Sequence, residues 1–164
     1  MLGICNGFQA LIKLGLVPYG EITELKESSP TLTFNNIGRH ASCLVRTRVA
    51  SVKSPWMSEC NVDDIHTIAI SHGEGKFVCS PELYERLEKN GQIATQYVDF
   101  DGNPTYDIAF NPNGSYQAVE GITSPDGRGL GKMGHSERSG ANLYKNVDGN
   151  KMQPIFRSGV RYFK

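Results

Sequence analysis

Hydrophobic and polar residues follow both strand-like and helix-like periods along this chain. Three segments are rich in apolar and β-branched residues, and we predict strands there: residues 44–52, 65–70 and 96–100. Between the last two, Leu83 and Leu87 recur at helical spacing. They follow Ser80, a favoured helix cap, and Pro81, a favoured first helical residue. The pattern therefore predicts a helix that begins at Pro81 and ends before Gly91.

A second helix is predicted near the N-terminus, directly after Cys5. Phe8, Leu11 and Ile12 share one helical face. Only residues 1–4 precede Cys5, so the strand expected before it is almost absent from the sequence. A cysteine flanked by glycines and followed by a helix nevertheless indicates a nucleophile elbow, the sharp turn that lifts a reactive side chain clear of the backbone.

An elbow would place Cys5 at the N-terminus of a helix. We expect this position to lower the pKa of the Cys5 thiol, and the backbone N–H of Asn6 to point at an oxyanion formed on an attacked carbonyl. The residues alone leave a second interpretation open, in which Cys5 is a small buried hydrophobe at the end of a strand.

Two pairs of the form His-x-Glu are candidates for a base and its orienting carboxylate. In an extended segment, side chains two residues apart leave the same face, so Glu137 could orient His135. His72 and Glu74 have the same spacing. Because such pairs are frequent on protein surfaces, spacing alone does not choose between them.

Longer motifs resemble a known family. Gly-Ile-Cys-Asn-Gly-Phe-Gln at residues 3–9 and Met-Gly-His-Ser-Glu-Arg at 133–138 resemble class I glutamine amidotransferases. Ser-His-Gly-Glu-Gly-Lys-Phe at 71–77 and Asn-Pro-Asn-Gly-Ser at 111–115 are similar, in the same order, to the glutaminase domain of phosphoribosylformylglycinamidine synthase. The resemblance runs from residue 3 to about residue 138.

The resemblance implies an α/β fold, a flavodoxin-like or α/β-hydrolase-like sheet flanked by helices. Residues 1–164 would be the C-terminal portion of a single glutamine amidotransferase domain that is truncated at its N-terminus, and residues 67–70 would lie on a central strand. The family also has a Gly-rich loop on an earlier strand that supplies a second oxyanion donor. No such loop precedes Cys5, so we expect little or no glutaminase activity from this chain alone.

Catalytic roles also follow from the resemblance. Cys5 matches the nucleophile, His135 the general base and later acid, and Glu137 the carboxylate that holds the imidazole. Asn6 would supply an oxyanion-binding backbone N–H.

The resemblance assigns further residues to the surroundings of the site. Gln9 and Asn35 match positions that line the glutamine pocket in related enzymes. His72 and Glu74 fall in a segment that lies near the active site and the partner domain, and they are therefore not expected to be part of the triad.

Glutamine is the implied substrate, and ammonia would pass to a synthase domain or subunit. No cofactor is expected in this domain, whereas ATP and Mg²⁺ are expected in the synthase. Residues 129–134 match Gly-x-Gly-x-x-Gly, but a turn and not an apolar strand precedes them. Gly131 and Lys132 are followed by Met133, so a Walker phosphate loop is also excluded.

Composition restricts the remaining classes. The 17 basic and 17 acidic residues cancel, which gives no indication of nucleic-acid binding. No apolar run is long enough to span a membrane. The four cysteines are far apart in the sequence and form no Cys-x-x-Cys pair, so we expect no metal site and a reducing, cytoplasmic location.

Two alternative functions stay open: a non-catalytic docking module for a synthase partner, and another cysteine hydrolase built on the same elbow. Two segments are also weakly determined. Residues 102–131 contain mostly turn signals and are predicted to be loop-rich. The apolar tail at 155–163 is either a return to the core or a partner surface.

Overall fold

A computed structural model describes residues 1–162 and 164 of the chain as a mixed α/β protein. Its eight strands are β1 (Leu2–Ile4), β2 (Thr31–Phe34), β3 (Ala41–Val49), β4 (Ile65–His72), β5 (Glu74–Val78), β6 (Ile93–Tyr97), β7 (Val119–Thr123) and β8 (Leu130–Lys132). Its α-helices are α1 (Asn6–Lys13), α2 (Pro81–Lys89) and α3 (Ile155–Tyr162). Short 3₁₀ turns occur at Pro55–Met57 and Tyr116–Ala118.

Six strands form one sheet in the order β1-β8-β7-β6-β3-β4. Strands β1 and β8 are parallel, and the other neighbours are antiparallel. Strands β2 and β5 form a separate antiparallel pair. The predicted fold class, a sheet flanked by helices, is confirmed.

Both predicted helices are present, and α2 carries the expected signals at its start. Helix α2 starts at Pro81, and the Ser80 hydroxyl accepts a hydrogen bond from the Leu83 N–H at 3.2 Å. Three predicted strands correspond to β3, β4 and β6, with boundaries shifted by up to three residues. The prediction of loops over 102–131 is wrong for β7 and for the start of β8. The glycines and the glutamate in these strands are uncommon in strands, so the sequence gives only a weak strand signal there.

Strand β4 lies at an edge of the six-stranded sheet, so the expectation of a central strand at 67–70 is wrong. Its outer side is nevertheless bonded. The His135 N–H donates to the Ala69 carbonyl at 2.8 Å, and the Thr67 N–H donates to the Asn150 carbonyl at 2.7 Å. The sheet therefore curls, and the segment that follows β8 returns to the far edge strand.

Both faces of the sheet are covered. Phe8 and Ile12 of α1 pack with Leu87 of α2 in one apolar cluster. On α3, Ile155 is fully buried in a separate cluster with Leu130 of β8. The beginning of the C-terminal tail is thus a return to the core, while the part of that prediction that concerns Phe163 lies outside the described residues.

No helix among the described residues is long and apolar enough to cross a membrane.

Candidate active site

The strand–turn–helix around Cys5 has the geometry of a nucleophile elbow. Cys5 joins β1 to α1 with φ 52° and ψ −107°, a conformation that L-residues rarely adopt. Its N–H donates to the Lys132 carbonyl at 2.8 Å, which ties the turn to β8. A Cβ at Gly3 would lie 2.7 Å from the backbone of Gly7. Glycine at position 3 is therefore required for α1 to fold back so closely over β1.

The Cys5 thiol is half-buried and lies 3.7 Å from the Ser71 carbonyl oxygen. Burial raises the pKa of this thiol, and this effect outweighs the lowering by the Asn6 N–H and by Arg138. Glu137 raises the pKa further. The expectation that the helix N-terminus would give Cys5 a lowered pKa is therefore wrong: the N–H acts in the predicted direction, but desolvation is larger.

His135 and Glu137 form the close pair that their spacing predicted. His135 Nδ1 lies 2.5 Å from Glu137 Oε1. Because a carboxylate only accepts hydrogen bonds, Nδ1 of His135 carries the proton of this contact. The other ring nitrogen, Nε2, is buried and has no hydrogen-bond partner among residues 1–162 and 164. The imidazole thus offers an unused lone pair for a proton.

Three strand ends bring the thiol and the imidazole to one end of the sheet. Ile4, at the end of β1, is in register with Lys132 at the end of β8. His135 follows β8 and pairs with Ala69 of β4, two residues before the Ser71 carbonyl that faces Cys5. No hydrogen bond between Cys5 Sγ and His135 Nε2 is present in the described part of the chain. Such contacts are often loose without substrate.

Gln9 lies one helical turn after Cys5, its backbone N–H donates to the Cys5 carbonyl at 3.1 Å, and its side chain holds the segment that contains Glu74. Its Nε2 donates to the Glu74 carbonyl at 2.7 Å. Both side chains are partly exposed. Glu74 therefore lies near the proposed site in the structure. The contact of Gln9 with a substrate stays a prediction.

His72 contacts Asn35 and is not paired with Glu74. The Asn35 Nδ2 donates to the carbonyls of His72 at 2.8 Å and Arg39 at 3.1 Å, and its Oδ1 lies 3.1 Å from His72 Nδ1. Burial lowers the pKa of His72 to about 4. His72 is thus a neutral, enclosed side chain. Both N–H groups of Asn35 are used internally, so only its oxygen could still accept from a ligand.

The Asn-Pro-Asn-Gly-Ser motif secures the same segment from the other side. Asn113 Nδ2 donates to the Gly75 carbonyl at 2.7 Å and to the Tyr97 hydroxyl at 3.0 Å. Ser115 Oγ donates to the same carbonyl at 3.3 Å. A Cβ at Gly75 would lie 2.4 Å from the His72 ring, so glycine is needed for this packing. The motif therefore supports residues 71–75, whose carbonyls face Cys5 and Gln9.

The sequence analysis assigned no role to Glu120 and Lys132. They form an ion pair with no solvent exposure that is hydrogen-bonded to Gly134 and Ser136, the neighbours of His135 in the chain. The only signal was one charged residue inside each of two short strand-like segments.

The structure also explains why residues 129–134 do not fit a phosphate. Leu130–Lys132 is a buried strand, and the position of a Cβ at Gly131 is filled by the Phe8 ring at 2.2 Å.

Among the described residues, no three His, Cys, Asp or Glu side chains are grouped so that they could hold a metal ion.

Comparison with known proteins places these features in a family. The model of the CobB/CobQ-like glutamine amidotransferase domain matches residues 1–163. The chain is 37% identical over 153 residues to the phosphoribosylformylglycinamidine synthase subunit PurQ of a Synechocystis strain, a match that covers 93% of this chain and 62% of that protein. It is 38% identical over 140 residues to the subunit of the same name from Methanococcus maripaludis strain C7, covering 85% of this chain and 50% of the relative.

A solved structure has a similar fold. It is titled as PurLQS from Thermotoga maritima, and the match has a TM-score of 0.70 and 26% sequence identity over 99% of this chain and 61% of that chain. The chain thus spans between 50% and 62% of the length of the curated relatives it matches.

Proposed function

Since this chain belongs to the CobB/CobQ-like glutamine amidotransferase domain family, we propose that it is the glutamine-hydrolysing part of a phosphoribosylformylglycinamidine synthase. The observation that carries the proposal is the meeting, at one end of the sheet, of the Cys5 elbow and the His135–Glu137 pair. This is the arrangement that nucleophilic acyl transfer requires: a nucleophile, a base and a group that orients the base.

The first step is formation of a glutamyl thioester. Because burial keeps Cys5 a thiol near neutral pH, a base is needed to remove its proton, and His135 Nε2 has the free lone pair. The sulfur attacks the side-chain amide carbon of glutamine, while the Asn6 N–H faces the oxyanion. The imidazolium then protonates the departing nitrogen, and ammonia leaves.

The second step is hydrolysis of the thioester. His135 Nε2 takes a proton from water, whose oxygen attacks the acyl carbon, and Cys5 leaves as the thiol on collapse of the tetrahedral adduct. The Glu137 carboxylate keeps the imidazole in one orientation through both steps. Before the first step the Cys5 side chain must exchange its contact with the Ser71 carbonyl for one with His135.

The proposal includes partners. Ammonia would pass to a synthase domain or subunit that uses ATP and Mg²⁺, and this chain would bind neither. Residues 71–75, which lie against Cys5 and Gln9, are proposed to face both the glutamine pocket and this partner. A cytoplasmic location follows from the proposed role in purine biosynthesis.

Covalent labelling tests the proposal. The chain is incubated with a chloroketone analogue of L-glutamine, and the adduct is located by mass spectrometry of peptides. We expect a single adduct at Cys5 that L-glutamine suppresses. Cys5→Ala should abolish it, and Cys79→Ala, which removes another partly buried free cysteine, should leave it unchanged.

Other outcomes would contradict the proposal. Equal labelling by a peptide chloroketone would indicate a cysteine hydrolase with another substrate. If the folded chain gives no adduct with the glutamine analogue, catalysis would be contradicted and a docking module would be the better interpretation.

A further inference from the structure

Glu120 and Lys132 lie on the neighbouring strands β7 and β8, and neither side chain has any solvent exposure. Lys132 Nζ has three partners: Glu120 Oε1 at 3.3 Å, the Gly134 carbonyl at 2.9 Å and Ser136 Oγ at 3.0 Å. An ammonium group has three N–H donors, so each of them has an acceptor. Two of these acceptors belong to the residues immediately before and after His135.

Glu120 holds the same segment from a different side. Its Oε1 accepts from the Gly134 N–H at 2.5 Å, and its backbone carbonyl accepts from the Met133 N–H at 3.1 Å. Its Oε2 is held by the Thr95 hydroxyl. Both the N–H and the C=O of Gly134 are thus bonded to one ion pair.

We propose that Glu120 and Lys132 are positioning residues, which hold the main chain on both sides of His135 and thereby direct its imidazole toward Cys5. This inference rests on the function proposed above. Neither side chain touches the reacting atoms. They act through Gly134 and Ser136. The residue between these two, His135, donates its backbone N–H to the Ala69 carbonyl.

A contribution to stability does not explain the pair well. Removing two charges from water costs several kcal/mol per ion, and apolar residues of similar size in place of a buried pair are often neutral or stabilising. A fully hydrogen-bonded buried pair does, however, fix a unique local geometry. Here it fixes the positions of the two residues that flank the proposed base.

The structure also gives a reason why the direction of His135 matters. Glu137 has a side chain that is 43% exposed, and its one polar contact shorter than 3 Å with another described residue is with His135 Nδ1. An exposed carboxylate cannot by itself hold a ring rigidly, because its own side chain is free to turn. Fixing the backbone at 134–136 keeps the His135 ring within reach of Glu137, and so keeps the proton on Nδ1 and the lone pair on Nε2.

The test compares the parent chain with the double variant Glu120→Gln and Lys132→Met, which leaves no unpaired buried charge. The matched control is Lys53→Met, since Lys53 Nζ also donates to a carbonyl, that of Asn90, but on the surface. Nitrogen-15 spectra of the imidazoles report the tautomer of His135, with assignment from His135→Ala. Labelling of Cys5 by the glutamine chloroketone reports the maximal rate and the half-saturating concentration separately.

We expect the parent and the control to show the His135 proton on Nδ1, and the folded double variant to show a mixture of tautomers. The maximal labelling rate of the double variant should fall about 10- to 100-fold, since a displacement of about 1 Å is enough for such a loss. The half-saturating concentration should change by less than about twofold, because the pair does not line the pocket. In a His135→Ala background the double variant should cause no further loss.

Two outcomes would overturn the proposal: a folded double variant with the His135 tautomer of the parent, or an equal loss of labelling rate in the His135→Ala background. If the double variant does not fold, Ser136→Ala removes one Lys132 contact together with the hydrogen bond from Ser136 Oγ to Gln153 Oε1. Gln153→Met, which removes only the second of these, is its control, and an unchanged tautomer in Ser136→Ala would also overturn the proposal. If the parent is not labelled but the tautomer shifts in the double variant, the proposed function fails and the positioning role is supported.

Discussion

The sulfur of Cys5 lies 3.7 Å from the carbonyl oxygen of Ser71, so the resting thiol faces a strand-end carbonyl and not an imidazole. A carbonyl accepts a hydrogen bond from a thiol but offers nothing to a thiolate. Together with burial, which raises the pKa of Cys5, this contact favours the protonated form. The nucleophile is therefore not ionised in advance.

A pH profile of Cys5 alkylation follows from this geometry. We expect the rate of reaction with iodoacetamide, measured for the Cys5 peptide, to rise through a midpoint above that of a free cysteine, roughly 8.5. The sign follows from desolvation, which disfavours the charged thiolate. As far as the structure describes the chain, no hydrogen bond joins Cys5 to His135, so His135→Ala should leave the midpoint unchanged. A midpoint near neutrality would indicate a preformed thiolate–imidazolium pair instead.

Glu137→Gln tests the orienting carboxylate. The amide keeps the size of the side chain but loses the charge that stabilises the imidazolium, and its NH₂ group can meet Nδ1 with the wrong polarity. We expect the maximal rate of Cys5 labelling by the glutamine chloroketone to fall about 100-fold, with little change in the half-saturating concentration. The Arg138→Gln variant is a useful comparison, because Arg138 Nε lies 3.9 Å from the same carboxylate. Its loss should cost much less, and equal losses would contradict the assigned role of Glu137.

His72 predicts a pH dependence of stability. Its pKa is lowered by burial from 6.5 to about 4, so between these values the unfolded chain binds more protons than the folded one. Stability is therefore retained above about pH 6.5 and lost as pH falls toward 4, by up to about 3 kcal/mol. Urea unfolding of the parent and of His72→Gln at several pH values measures this difference. A parallel pH dependence in the two proteins would contradict the assignment.

The two glycines that flank Cys5 should respond in opposite ways to alanine. A Cβ at Gly3 would lie 2.7 Å from the backbone of Gly7, and overpacking of this kind typically costs about 1–3 kcal/mol. A Cβ at Gly7 meets nothing within 4 Å. Because alanine is the better helix former, Gly7→Ala should stabilise the protein by up to about 1 kcal/mol. Unfolding midpoints in urea check both, and a destabilised Gly7→Ala would show that the space around α1 is filled.

Much of the site could be recognised from short-range patterns. The elbow at Cys5 and the caps of α2 are encoded in consecutive residues, so local steric and hydrogen-bonding preferences are sufficient to predict them. The His135–Glu137 pair follows equally from a spacing of two in an extended segment. These features depend on neighbours in the chain and not on how distant segments pack.

Tertiary structure decided the features that depend on distant segments. His72 and Glu74 have the same spacing as His135 and Glu137. In the folded chain, however, the His72 ring contacts the Asn35 side chain, whereas the curl of the sheet brings His135 to β4. Strand β7 could not be predicted because its glutamate is stable in a core only when a lysine from β8 pairs with it. The sequence alone determined which groups are available for the chemistry, since residue types and local turns are written in consecutive positions. Only the folded structure decided their pKa values, pairings and directions, because burial and long-range contacts set all three.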